Sequence, residues 1–156
     1  MSSPQEYRLR DMTAQDLPEV LRIERASHAV PWSEKIFTDC LKVGYLTLVV
    51  EAAQTLYGFV IFSSAAGESH ILNICVDPDS RRNGIASVLM EQAVATAMLQ
   101  GASTMFLEAR VSNTGAIAMY EKLGFIETGR RENYYNVPGG DNRREDAVLM
   151  AKALLA

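Results

Sequence analysis

The chain has 156 residues, of which 48% are hydrophobic and 22% are charged. This length and apolar content predict one compact domain spanning residues 1–156 and exclude an intrinsically disordered chain. The formal net charge of −4 argues against direct binding of nucleic acid, because basic residues that neutralise phosphates supply most of that affinity.

The first part of the chain predicts a strand followed by two helices. Alternating apolar and charged residues at Tyr7–Arg10 favour a short strand. The segment Asp16–Glu19, with Pro18 inside it, has the residues of a capping box at the start of the first helix. Ser33 is the predicted cap of the second helix, and Gly44 is its predicted end.

The middle of the chain predicts three strands. Tyr45–Val50 and Leu56–Phe62 are strand-like runs separated by a short turn, which predicts a hairpin. His70–Val76 is a third such run, and Asp77 and Pro78 end it.

The rest of the chain alternates helices with strands, which predicts an α/β fold. The predicted elements are a helix at Gly84–Gln100, a strand at Thr104–Ala109, a helix at Asn113–Leu123, a strand section from Phe125, and a pairing of Asn133–Val137 with Asp146–Ala151. Because a helix between two strands makes them parallel, we expect a mixed sheet of about six to seven strands flanked by about four helices.

A short polar turn joins the third strand of the middle section to the long helix. The sequence there runs Cys75-Val-Asp-Pro-Asp-Ser-Arg-Arg-Asn-Gly-Ile-Ala-Ser87. Exposed N–H groups at a helix start favour anions, Arg81 and Arg82 add positive charge, and Gly84 and Ala86 leave room for a pyrophosphate. An ordinary turn with solvated arginines explains the same residues, and the segment has neither a Walker sequence nor GxGxxG.

Two segments carry a resemblance to the GNAT N-acetyltransferases. Arg81-x-x-Gly84-x-Ala86 is similar to the family's Q/R-x-x-G-x-G/A signature, with alanine where glycine is frequent. Asn113-Thr-Gly-Ala-Ile-Ala-Met-Tyr-Glu-Lys-Leu-Gly-Phe125 is similar to the family's N-x-x-A-x-x-x-Y-x-x-x-G-F segment. The resemblance implies the GNAT fold, with acetyl-CoA as the acetyl donor.

Four further segments resemble the RimI group of this family, which acetylates the N-terminal alanine of ribosomal small-subunit protein 18. They are His28–Glu34, Leu107–Asn113, Arg131–Tyr135 and Arg144–Ala147. This narrower resemblance implies that the acceptor is the N-terminus of a ribosomal protein.

Acetyl transfer to an α-amine requires a base, because the pKa of such an amine is about 8 and most of it is protonated at neutral pH. It also requires an oxyanion donor and an acid for the leaving thiolate. Glu108, near the end of a predicted strand, is the candidate base, a role that the RimI resemblance supports; a solvated carboxylate is the alternative. Tyr120 matches the tyrosine that protonates the thiolate of coenzyme A in the family; a core tyrosine is the alternative.

The resemblance also implies a donor site. Strand residues would pair with the pantetheine arm through their backbone, the turn would hold the phosphates, and a helix cap would add a hydrogen bond. The predicted donor-binding residues are Ile74, Cys75, Val76, Arg82, Asn83, Gly84, Ile85, Ala86, Ser87 and Asn113. We expect no nucleophilic role for Cys75, because direct transfer needs no acyl-enzyme and no histidine is expected beside it.

Aromatic walls for a short extended peptide are predicted from Trp32, Tyr134 and Tyr135. A core anchor explains the position of Trp32 equally well. The carboxylates of Glu24, Glu34 and Asp146 can attract a basic peptide, although each taken singly is expected on a solvated face.

Cysteine and histidine usage predicts neither a disulfide framework nor a metal site. Cys40 and Cys75 lack CxxC spacing, and His28 and His70 are the only histidines. The N-terminus lacks an apolar signal core and no run approaches about 20 apolar residues, so we expect a cytoplasmic protein without membrane contact.

Two other functions are compatible with the sequence. One is acetyl transfer to a small amine, such as a polyamine or an aminoglycoside, which the Pro31-Trp32 loop and the Tyr134-Tyr135 segment disfavour. The other is a non-catalytic acyl-CoA-binding module, which the presence of both Glu108 and Tyr120 disfavours.

Overall fold

The structure is a computed structural model that describes residues 6–80, 84–139 and 142–154. Within these residues the chain forms seven strands and four α-helices, in the order that the sequence predicts. They are β1 (Arg8–Arg10), α1 (Leu17–Ser27), α2 (Glu34–Val43), β2 (Leu46–Ala52), β3 (Thr55–Ala65), β4 (Glu68–Val76), α3 (Ile85–Leu99), β5 (Thr104–Arg110), α4 (Thr114–Lys122), β6 (Ile126–Asn136) and β7 (Arg144–Ala153). Single turns of 3₁₀ helix at Ala14–Asp16 and Pro78–Ser80 precede α1 and follow β4.

The seven strands form one sheet in the order β1-β2-β3-β4-β5-β7-β6. β4 and β5 are parallel, as expected for two strands joined through a helix. The pairs β1–β2, β2–β3, β5–β7 and β6–β7 are antiparallel. The expectation that a helix between two strands makes them parallel is wrong for β1 and β2, because two helices, α1 and α2, lie between them and return the chain antiparallel. The predicted mixed α/β sheet is therefore confirmed.

Local sequence signals set several boundaries as predicted. Ser33 starts α2, because its hydroxyl oxygen accepts the N–H of Ile36 at 3.3 Å. The β2–β3 hairpin turns at Ala53 and Gln54, whose φ values of 50° and 68° match the turn that suits twisted strands.

The predicted capping box at Asp16–Glu19 is wrong. Asp16 precedes α1, but its side chain makes no capping bond to that helix. Arg10 instead donates to both carboxylate oxygens of Asp16 at 2.8 Å, and this bond is the main cause of the lowered pKa of Asp16. Asp16 Oδ2 also accepts the N–H of Thr13 at 2.8 Å, so the capping box forms one turn earlier, between Thr13 and Asp16.

The strand section predicted after Phe125 and the strand predicted at Asn133–Val137 form a single strand, β6. Its register against β7 shifts between Arg131 and Tyr135. Asn133 lies in this bulge with φ 51°, and its N–H donates to Asp146 Oδ1 at 3.0 Å. A side chain therefore replaces the strand ladder as the acceptor here.

The chain divides into two compact units, Met1–Ser63 with Leu72–Ala93 and Ser64–Ile71 with Val94–Ala156. The single domain spanning residues 1–156 stays a prediction. In the first unit, residues of α1, α2, β2 and β3 build one core cluster with Met12 and Cys75: Leu17, Val20, Leu21, Ile23, Phe37, Cys40, Val49, Leu56, Phe59 and Ile61. In the second unit the buried apolar residues include Met105, Leu107, Phe125, Val148 and Met150.

Gly58 on β3 allows α3 to lie close to β3 and β4 in the first unit. A Cβ atom at Gly58 would lie 2.9 Å from the carbonyl oxygen of Cys75 and 3.3 Å from the side chains of Ile85 and Leu89. Any larger residue would therefore displace the first turns of α3. No helix in the described part of the chain is long and apolar enough to cross a membrane.

Candidate active site

The described residues on either side of the turn between β4 and α3 leave room for an anion. After β4, the N–H of Asp77 donates to the carbonyl oxygen of Tyr57 at 2.8 Å, which fixes the exit of the strand. Gly84 has φ +75°, and a Cβ atom there would meet no atom within 4 Å. The Gly84 carbonyl oxygen accepts the N–H of Val88 at 3.1 Å, so α3 starts immediately after this glycine. Open space therefore lies over Gly84, beside a helix start whose first N–H groups have no acceptor within the helix.

The predicted donor residues fall into three groups. Gly84, Ile85, Ala86 and Ser87 lie at this helix start, whereas Arg82 and Asn83 lie outside the described residues. Ile74, Cys75 and Val76 are the last residues of β4. Asn113 caps α4 by accepting the N–H of Ala116 at 3.4 Å.

Cys75 points into the core of the first unit. Its thiol is buried, and Sγ donates to the carbonyl oxygen of Ile23 at 3.8 Å. The expectation that no histidine lies beside Cys75 is wrong, because the ligand atoms of Cys75, His28 and Glu24 all lie within 4.8 Å of one another. Sequence reasoning missed this group because its members come from two elements that only the tertiary fold brings together.

Glu24 lies in the core rather than on a solvated face, so the expectation for this carboxylate is wrong. Only 1% of the residue is exposed. Oε2 accepts the backbone N–H of Trp32 at 2.9 Å, and Oε1 accepts from Asn73 Nδ2 at 2.9 Å. Burial of a carboxylate is costly, and these two donors offset the cost.

Glu24, His28 and Cys75 are residue types that bind zinc. Both oxygens of Glu24 already accept N–H bonds, which accounts for the buried carboxylate without an ion. The absence of a metal site stays a prediction.

The other two carboxylates singled out above differ from Glu24. Glu34 is exposed in the first turn of α2, as expected for a solvated side chain. Asp146 is half-buried on β7, where it accepts the N–H of Asn133.

Trp32 is half-buried in the loop between α1 and α2 and packs against the core cluster. Its ring centroid lies 5.2 Å from that of Phe37. The contact supports an anchoring role, and because Trp32 is only half-buried, the part of the indole outside the core can still form a wall.

In the second unit, Glu108 lies on β5 opposite Leu149 of β7. It comes two residues after Phe106, the last β5 residue paired with β4. Its side chain is 33% exposed, and Oε1 lies 3.7 Å from the guanidinium of Arg131 on β6. The predicted base is thus accessible and faces a positive charge.

Of the two predicted tyrosines on β6, Tyr135 lies close enough to Glu108 to be affected by its charge. Burial is the main reason that the pKa of Tyr135 is raised, and the negative charge of Glu108 adds to it. The Tyr135 hydroxyl therefore keeps its proton at neutral pH. The rings of Tyr134 and Tyr135 meet edge to face at 4.9 Å.

Two arginines contact these tyrosines, and sequence reasoning did not single them out as site residues. The guanidinium of Arg110 lies 4.5 Å from the ring centroid of Tyr135, and that of Arg131 lies 5.3 Å from that of Tyr134. Arg110 also pairs with Glu145 at 3.3 Å. Glu145 accepts the N–H of Ser112 at 3.0 Å, and hydrogen bonding to the Ser112 side chain is the main cause of the lowered pKa of this carboxyl. The signal available in the sequence was the set of charged residues in and beside three predicted strands, but pairing them requires the strand register.

Tyr120 is buried at the end of α4, with its ring 6.1 Å from that of Phe125 in an edge contact. Its carbonyl oxygen accepts the N–H groups of Leu123 and Phe125, which closes the helix. Asn113 and Tyr120 thus mark the two ends of α4 in the second unit. The structure brings Glu108, Tyr134 and Tyr135 together, while Trp32 and the donor turn belong to the first unit.

The sequence model of the acetyltransferase (GNAT) family matches residues 9–125 of this chain. The chain is 40% identical over 140 residues to the ribosomal protein bS18-alanine N-acetyltransferase of Salmonella typhimurium, covering 90% of this chain and 93% of that protein. It is similar to the crystal structure of the ribosomal-protein-S18-alanine N-acetyltransferase from Escherichia coli, with TM-score 0.86, 36% identity, and coverage of 97% of this chain and 96% of that one. It is also similar to Ard1 from Thermoplasma volcanium, with TM-score 0.85, 27% identity, and coverage of 96% and 99%.

Proposed function

The chain belongs to the acetyltransferase (GNAT) family, and we propose that it transfers an acetyl group from acetyl-CoA to the N-terminal alanine of ribosomal protein bS18. The observation that carries the acceptor is the 40% identity to a bS18-alanine N-acetyltransferase over 90% of the chain. A ribosomal acceptor would locate the enzyme in the cytoplasm.

Acetyl-CoA supplies an activated thioester. We assign three parts of the chain to acetyl-CoA binding: the backbone of Ile74–Val76, the turn Arg82–Ser87 and the side chain of Asn113. The open space over Gly84 and its left-handed φ support a close approach of pyrophosphate to the backbone. The N–H groups of Ile85, Ala86 and Ser87 would then face the phosphates.

Glu108 is the proposed general base. The acceptor α-amine, with a pKa of about 8, must lose a proton before its lone pair can attack. A carboxylate that is one-third exposed can receive this proton directly or through a water molecule. Arg131 lies 3.7 Å from Glu108, and the α-ammonium group of the acceptor can replace it as the positive partner of this carboxylate.

Tyr120 is the proposed general acid. Its hydroxyl would donate a proton to the sulfur of the leaving thiolate, while the amine carries the acetyl group away. A phenol carries a hydroxyl proton that it can donate, and the position of Tyr120 at the end of α4 in the family segment supports this role.

Trp32, Tyr134 and Tyr135 are the proposed acceptor-binding residues. Aromatic rings provide rigid walls for an extended peptide at little entropic cost. A first side chain packed against an aromatic wall has little room to grow, so we expect the acceptor site to favour alanine.

Mass spectrometry of bS18 after incubation with the enzyme and acetyl-CoA tests the function. We expect a mass increase of one acetyl group, located at the N-terminal alanine. Competition between an alanine-starting peptide, a polyamine and an aminoglycoside distinguishes a peptide acceptor from a small amine. Turnover of acetyl-CoA with any of them contradicts a non-catalytic binding module.

Replacing Gly84 with valine is expected to abolish acetyl-CoA binding measured by calorimetry, because the side chain would fill the space assigned to the pyrophosphate. Valine also strains a backbone with φ +75°. Gly101 has φ +88° and an equally open surrounding, so Gly101→Val carries the same strain away from the proposed site. Unchanged affinity in a folded Gly84→Val protein contradicts the phosphate assignment.

Replacing Trp32 with alanine is expected to relax the preference for a small first residue. Pocket sterics of this kind discriminate by about 10- to 200-fold, and most of that ratio should be lost. The measurement is kcat/KM for peptides that start with alanine or with leucine. Val30→Ala, at an exposed position of the same loop, is the control. A lower Tm with an unchanged ranking of peptides would mean that Trp32 anchors the loop in the core and does not line the acceptor site.

A further inference from the structure

We propose that Glu24 positions the acceptor. It does so by stabilising the conformation of the loop of residues 28–33, which connects α1 to α2. The proposal rests on the function given above, in which Trp32 of this loop lines the acceptor site. The loop has no helix or strand of its own, and Val30 within it is 49% exposed. Its conformation therefore depends on individual contacts.

One carboxylate makes the contact that fixes the position of Trp32. Glu24 is in the last part of α1, and its Oε2 accepts the backbone N–H of Trp32 at 2.9 Å. This bond holds the backbone of the loop independently of the indole, which packs on Phe37. His28, at the start of the loop, adds Nε2 at 3.5 Å from Oε1, which is close enough for an ion pair when the imidazole is protonated.

The same carboxylate connects the loop to β4. Oε1 accepts from the side chain of Asn73 at 2.9 Å, and Asn73 immediately precedes the proposed donor-binding residues Ile74–Val76. All of these groups lie in the first unit. Glu24 thus joins the proposed acceptor loop to the strand that carries the proposed donor contacts.

The chemistry of the two partners explains why an acidic group is buried here. Trp32 N–H and Asn73 Nδ2 are both donors, so the residue between them must offer two acceptors, which a carboxylate does. An apolar side chain of the same length would fill the volume but leave both donors unsatisfied. Glutamine can replace the carboxylate only if the Asn73 amide turns over, so that Asn73 Oδ1 accepts from the new amide.

This pairing gives a test with matched variants. Glu24→Met preserves length and removes both acceptors, while Glu24→Gln preserves the bridge through a turned Asn73 amide. We expect Glu24→Met to lower kcat/KM for the alanine peptide on the order of 10- to 100-fold, mainly through KM, with KM for acetyl-CoA unchanged. Glu24→Gln should stay close to the unsubstituted enzyme. Glu19→Met, at an exposed carboxylate of the same helix, is the control.

Trp32 reports on the loop directly, because it is the only tryptophan in the chain. Quenching of its fluorescence by acrylamide should increase in Glu24→Met and not in Glu24→Gln. If Glu24→Met does not fold, Glu24→Asp replaces it, since the shorter side chain cannot reach both donors, and the same results are expected.

Two results would overturn the inference. A lower Tm with unchanged KM for the peptide and unchanged quenching would mean that Glu24 only stabilises the fold. An equal rise in KM for acetyl-CoA and for the peptide would mean that it acts on the donor strand. If the unsubstituted enzyme does not acetylate the alanine peptide, the proposed function fails instead, and the same variants are compared with the amine that the enzyme does use, where an unchanged KM and unchanged quenching overturn the inference.

Discussion

Replacing Glu108 with glutamine is expected to lower kcat by roughly 10²–10⁴-fold, with little change in acetyl-CoA affinity. Glutamine keeps the size of the side chain and cannot accept the proton of the acceptor ammonium. The defect should shrink as pH rises above the pKa of the α-amine, because the amine is then neutral before it binds. The measurement is kcat against pH for both proteins, with acetyl-CoA affinity determined by calorimetry.

Glu127→Gln is the matched control for this experiment. Glu127 is also a carboxylate paired with an arginine, since Arg130 lies 3.3 Å from it, but it is exposed on β6. Loss of an exposed ion pair should leave kcat unchanged. A defect in Glu108→Gln that does not depend on pH would assign Glu108 to positioning of the acceptor rather than to proton transfer.

Elements set by local chemistry could be predicted from the sequence. The hydroxyl of Ser33 needs only the N–H of Ile36, three residues away, so the start of α2 could be read without any tertiary contact. The β2–β3 hairpin likewise follows from two strand-like runs and a short turn. In both cases the interacting groups are close in sequence, and no distant partner competes for them.

Predictions failed where a distant residue competed for the same group. Asp16 is a good helix cap by type, yet Arg10 and Glu51, which lies on another strand, build a charged network around it. Glu24 shares the helical spacing of the buried residues of α1, but its charge favoured a solvated position. Asn73 and Trp32 supply the donors that allow its burial, from 49 and 8 residues away. Burial of a charged group depends on such donors, and sequence spacing does not report them.

In the candidate site, too, the sequence predicted what local motifs mark and missed what depends on distant contacts. Glu108 and Tyr120 were found because family motifs mark their positions, and their proposed roles rest on that resemblance. The contact of Arg131 with Glu108 depends on the register of β6 against β7, which shifts by a bulge between Arg131 and Tyr135. A shift of one residue would turn Arg131 to the other face of the sheet, so this contact could not be derived from composition or periodicity.

Replacing Tyr120 with phenylalanine is expected to lower kcat by roughly 10²–10⁴-fold while preserving acetyl-CoA binding, because only the proton for the leaving thiolate is lost. The ring contact with Phe125 does not need the hydroxyl and is kept in this variant. Unlike the Glu108→Gln defect, this one should recover little at high pH, since a neutral amine does not help the thiolate to leave. Tyr57→Phe, at a half-buried tyrosine in the first unit, is the control for loss of a hydroxyl. Parallel recovery of both variants at high pH would contradict the division of labour between Glu108 and Tyr120, because two groups that act on different protons should respond differently to the state of the amine.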